Sequence, residues 1–77
     1  MSENGYKILA VERLILRNPN GISTNEIIKE FRIQYGIAAE RKGIYSNIAT
    51  LTRFLPINKR NDEHKNNIYF LDVKERV

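Results

Sequence analysis

Three observations predict an α+β domain made of three helices and a C-terminal β-hairpin. Apolar residues recur at helical spacing in three segments before Pro56. Turn and capping residues separate those segments at the points where helices should stop and start. Beyond Pro56 the apolar period changes from helical to alternating. The 77 residues hold one domain, residues 1–77, with no repeat, low-complexity tract or linker.

In the first segment, Tyr6 to Arg17, Ile8, Val11, Leu14 and Ile15 share a helical face. "NPNG" follows, where Pro19 cannot continue a helix and Gly21 permits a tight turn. Ser23 with Glu26 three residues later is a capping-box pattern and opens a second helix, Thr24 to Tyr35. Its apolar stripe is Ile27, Ile28, Phe31 and Tyr35. Gly36 is its left-handed stop, with Ile37 folding back behind it. Ile44, Ile48, Leu51 and Leu55 predict a third helix from Arg41 to Leu55, closed by Pro56. "PINKR" and "NIYFLDV" then read as two strands around the polar loop "NDEHKN", and a short strand around Ile22 would complete a three-stranded sheet. Helix, short strand, helix, helix, hairpin is the order of a winged helix-turn-helix.

The charge is unevenly spread. Between Ala39 and Arg60, Arg41, Lys42, Arg53, Lys59 and Arg60 stand against Glu40 alone, and no acid follows until Asp62. The remaining eight cations and eight acids cancel, so this run alone accounts for the net charge of +4. A solvated helix face ordinarily mixes both signs. On the predicted third helix the face opposite the apolar stripe carries Lys42, Ser46, Ala49 and Arg53, with Tyr45 and Thr50 beside it. A carboxylate there would repel phosphates, so its absence points to double-stranded DNA, whose major groove admits a helix. Gly43 fits either a close approach to DNA or a weak first turn. Tyr45 fits either a phosphate contact or packing beneath the helix.

"ERLILRNPNGISTNEI" followed by "ERKGIYSNIATL" resembles the N-terminal helix-turn-helix of DeoR-, WYL- and biotin-repressor-type bacterial regulators. Arg41, Lys42, Ile44, Tyr45 and Ile48 match the third-helix pattern of that group, and "LPI" matches the turn into its wing. Gly43 stands where threonine is usual, and Ser46–Asn47 where an arginine–aspartate pair is usual. The resemblance covers most of residues 9–57. It implies a winged-helix transcription regulator that acts at a promoter or operator. Such a protein reads base edges from the start of the third helix, here Lys42, Gly43, Tyr45 and Ser46. Arg41, Arg53 and the wing residues Lys59, Arg60 and Lys65 would then hold phosphates. No segment resembles the sensor domain of those regulators, so no small-molecule effector is expected. An architectural or recombination-accessory DNA-binding role, or a winged-helix protein-interaction module, stands as the alternative.

Helix 1 carries a second apolar stripe, Leu9 and Leu16 with Tyr6. It is either buried on a second side or forms a homodimer seam. The tail residues Val73 and Val77 are a second candidate seam. Tyr35 and Tyr69 are expected in or around the core with wet hydroxyls. His64, beside Asp62 and Glu63, reads as a solvated wing tip, not a metal ligand. The sequence shows no nucleophile–base arrangement, phosphate loop, cofactor motif, signal peptide or membrane-length apolar run. A non-enzymatic, cytoplasmic protein without cofactor, metal or membrane partner is therefore expected.

Overall fold

The computed structural model describes residues 3–72, with side chains from Gly5 onward. The elements are α1 (Glu3–Arg17), β1 (Ile22–Ser23), α2 (Thr24–Tyr35), α3 (Arg41–Leu51), β2 (Ile57–Asn61) and β3 (Asn67–Leu71). Together they form a small α+β fold of three helices and one antiparallel sheet, in the order β1-β3-β2.

Two joints in the chain explain why α1 and α2 stop and start where they do. Asn18 Nδ2 donates to Leu14 O at 2.7 Å, which satisfies a carbonyl that the end of α1 leaves open. Gly21 N–H then closes a turn on Asn18 O at 2.8 Å. Gly21 has φ of 111°, and a Cβ there would lie 2.4 Å from Ile68 Cγ2, so both backbone and packing require glycine. The predicted capping box is present. Ser23 Oγ accepts from Glu26 N–H at 3.1 Å, and Glu26 Oε1 accepts from Ser23 N–H at 3.0 Å. Gly36, at φ 64°, ends α2 as expected, and Ile37 N–H returns to Phe31 O at 3.0 Å.

The third helix is shorter than its apolar stripe suggested: it stops at Leu51, not Leu55. Thr52 Oγ1 donates to Ala49 O at 2.7 Å, and Arg53 and Phe54 N–H groups bond three residues back, to Thr50 O and Leu51 O. A hydroxyl competing for helix carbonyls and a following Pro56 both work against another turn of helix. Leu55 still packs on the core from the turn. Arg53, however, lies off the helix, so it does not continue the Lys42–Ser46–Ala49 line. Phe54 is 79% exposed, which the pattern did not signal. At the other end of the chain, α1 begins at Glu3, ahead of the expected Tyr6.

The sheet register sorts residues between two faces. Ile22, Tyr69 and Lys59 form one cross-strand row, and Ser23, Ile68 and Arg60 form the next. Alternation therefore puts Lys59 on the side of Ile22 and Tyr69, and Arg60 on the reverse. The core lies between the helices and the first of these faces, with Val11, Leu14, Ile15, Ile27, Phe31 and Ile44 fully buried. Tyr69 joins it, as expected. Tyr35 packs edge-on against Phe31, with ring centroids 6.0 Å apart. Its hydroxyl is buried without a hydrogen-bond partner, which corrects the expectation of a wet one.

Of the two readings of the second stripe on α1, burial within the chain is not the one found. Leu9 and Leu16 are 54% and 50% exposed, with Tyr6 exposed on the same face. Val73 and Val77 lie outside the described residues. Among the described residues, no helix is long and apolar enough to cross a membrane.

Ser23→Ala removes the acceptor for Glu26 N–H and one half of the capping box. We expect it to cost about 1 kcal/mol. For a domain of this size that is a fall in Tm of roughly 4–8 °C, measurable by thermal denaturation followed by circular dichroism.

Candidate nucleic-acid interface

Ile44, Asn47, Ile48 and Leu51 anchor α3 to the core and leave its opposite face in solvent. Arg41, Lys42, Gly43, Tyr45, Ser46 and Ala49 are all exposed on that helix. Asn47 is buried, although its polarity gave no sign of a core position. The N-cap residue, Glu40, makes no side-chain cap bond, and the first turn contains no acid. The N–H groups at this helix end and the positive end of its dipole therefore remain available to an anion. A Cβ at Gly43 would meet nothing within 4 Å, so packing inside the chain does not demand glycine there.

Arg41 is held in place. Its Nη2 donates to Asn25 Oδ1 in the first turn of α2. The Tyr45 hydroxyl also lies beside the Arg41 side chain, and this neighbour lowers the tyrosine pKa from its ordinary value. Tyr45 and Tyr69 both approach Thr24 and Asn67. No contact to buried Thr24 Oγ1 reaches hydrogen-bond geometry. Burial pushes the Tyr69 hydroxyl pKa up. The result is a polar cluster joining the starts of α2 and α3 to β3. Asn25, Thr24 and Asn67 belong to it, and only their spatial proximity reveals them.

The hairpin residues separate. Lys59 lines an open groove of about 580 Å³ between α3 and the strands. Arg60 turns to the other face, where its Nη2 donates to Asn20 O at 2.7 Å and its guanidinium lies 6.0 Å from the Phe70 ring centroid. It ties the hairpin to the turn before β1. Lys65 sits at the hairpin tip with φ of 64°. Asp62 shapes that tip, its Oδ1 accepting from His64 N–H at 2.8 Å and Asn66 N–H at 2.9 Å. The Asn66 backbone bond is the main reason the Asp62 carboxyl lies below its ordinary pKa. His64 is exposed and 3.6 Å from Glu63. No group of three or more His, Cys, Asp or Glu among the described residues is placed to hold a metal ion.

The structure therefore brings Lys42, Tyr45 and Ser46 together on α3, with Lys59 across the groove. It places Arg53 in the turn after the helix and Arg60 behind the sheet. None of the cations named here has a carboxylate within salt-bridge distance among the described residues, where the one ion pair is His64–Glu63. Such a surface can receive an anionic partner without first breaking internal ion pairs. Compared with protein-family models, curated proteins and solved structures, the chain matches none.

The divergence of Lys59 and Arg60 gives a direct test. Arg60→Ala should lose about 1 kcal/mol of stability through the Asn20 carbonyl bond. Lys59→Ala should stay within about 0.5 kcal/mol of the parent protein, as a surface change. Urea denaturation of the two variants checks this; equal stabilities would show that the Asn20 tie contributes nothing.

Proposed function

We propose that the chain is a winged helix-turn-helix domain that binds double-stranded DNA and regulates transcription by occupying a promoter or operator. The observation that carries this reading is the outward face of α3. It presents Lys42, Tyr45 and Ser46 to solvent, has no acid in its first turn, and stands beside the Lys59 strand. In this reading α3 is the recognition helix and β2–β3 is the wing. An 11-residue helix is about 16 Å long and of a diameter that fits the major groove. Lys42, Gly43, Tyr45 and Ser46 then meet base edges near the helix start. Arg41, Lys59 and Lys65 neutralise phosphates, joined by Arg53 from the turn, while Arg60 mainly positions the wing. The protein-interaction alternative draws on one specific observation, the exposed Phe54.

Titration of labelled duplex at several salt concentrations separates the two readings. DNA binding predicts a log–log slope near −0.9 per neutralised phosphate, whereas absence of binding at low salt favours the protein-interaction module. Within the DNA reading, Lys42→Ala with Ser46→Ala should preserve the fold and erode discrimination among duplexes by about 1–3 kcal/mol per lost base contact. Duplexes selected from a random pool supply the panel, and unchanged preference would remove both residues from the readout.

We further propose that two copies act together through α1. A single small module buries only about 600–1,000 Å² on DNA, and paired half-sites add their contacts. Tyr6, Leu9 and Leu16 supply an exposed seam. Leu16→Asp should convert a dimer to monomer in sedimentation with little change in Tm. A parent protein that sediments as a monomer both with and without duplex would exclude the seam.

A further inference from the structure

The groove between α3 and the hairpin combines an apolar floor with a rim of donors. Ile48, Ala49, Ile57 and Tyr69 form the floor. Its volume of about 580 Å³ lies within the range of small-molecule sites, about 300–1,000 Å³. On the rim, Lys59 is the one charged lining residue, and no carboxylate lines the groove. The Lys59 ammonium has no ion pair among the described residues. Asn67 Oδ1 accepts from Asn61 Nδ2 at 2.9 Å, and the Asn67 amide nitrogen brings two N–H donors. Tyr45 adds a hydroxyl that lies beside the Arg41 side chain. The carboxylate bonded to a rim residue, Asp72, is engaged by Asn58 Nδ2 at 3.1 Å. An apolar floor under a cationic, donor-rich rim complements one kind of molecule, an apolar body carrying a single negative group.

We propose that this groove is a binding site for a small amphipathic anion of the aromatic-carboxylate type, and that its occupation competes with DNA. The anion lies over Ala49 and Ile57 with its carboxylate toward Lys59 and Asn67. Binding there goes beyond the DNA reading and does not need it, but competition rests on it: the groove adjoins Tyr45 and includes Lys59, both assigned there to DNA contact. A ligand in the groove therefore masks that cation and adds like charge where phosphates would come.

The experiment is an amide-resolved NMR titration of the full chain with benzoate as the probe. Phenol supplies the same ring without the charge, and acetate the charge without the ring. Benzoate should shift Ala49, Lys59 and Asn67 amides saturably and bind about tenfold more tightly than either control. Lys59→Met should weaken it by about tenfold, and Ala49→Phe, which fills the groove from an exposed helix position, should abolish it with Tm nearly unchanged. Equal binding of benzoate and phenol, shifts located elsewhere, or indifference to both substitutions would overturn the site. A second measurement repeats duplex titration at saturating benzoate with ionic strength held constant. Weaker duplex binding supports competition, and unchanged duplex affinity overturns it. Failure of all duplex binding would count against the DNA reading and the competition, while the benzoate arms would still decide the site.

Discussion

The central place of β3 in the sheet is the constraint on which the rest of the structure depends. A two-stranded hairpin is marginal on its own; the pairing of β3 to β1 ties β2 and β3 to the start of α2, alongside the packing of Ile57, Tyr69 and Leu71 on the core. That pairing is only two residues long, Ile22 to Tyr69 and Ser23 to Ile68. It suffices because the same residues have further roles. Ile22 and Tyr69 are core side chains, and Ser23 also caps α2. Gly21 lets the chain enter β1 against Ile68, and Arg60 fastens the reverse face of the hairpin to Asn20. Helix start, sheet edge and hairpin are thus positioned at one joint.

From that joint follows the geometry of the exposed surface. Tyr69 lies between Ile22 and Lys59 in the sheet, so fixing Tyr69 in the core fixes Lys59 beside α3. The Arg41–Asn25 hydrogen bond links α3 to α2, and Tyr45 lies near Thr24 and Asn67 on the same side. The cations of this surface have no carboxylate partners among the described residues. The DNA reading and the amphipathic-anion site use the same feature, a grooved face whose cations lack carboxylate partners among the described residues.

Much of this was legible in the sequence, for identifiable reasons. The capping box, Gly36 and the change of apolar period each rest on local chemistry that acts within a few residues, and each is where it was expected. The end of α3 was misread because Leu55 sits in phase with the helical stripe and remains part of the core, while the competing Thr52 hydroxyl bond is local and easily overlooked. The separation of Lys59 from Arg60 was not legible because adjacent strand residues point to opposite faces, a consequence that needs the register. Asn25 and Asn67 carry no pattern at all, since their role comes from contacts made across the fold. The second stripe of α1 stayed open between burial and a seam because apolar spacing does not say whether a stripe has anything within the chain to meet.

The central claim is that α3 and the hairpin form one surface for an anionic duplex, held by the β1–β3 joint. Amide shift mapping during titration with a selected duplex tests it most directly. The account predicts that the largest changes fall together on Lys42, Tyr45, Ser46 and Lys59 and follow a single binding curve. Changes centred on Phe54 or on the reverse face near Arg60, with the α3 residues unmoved, would contradict it.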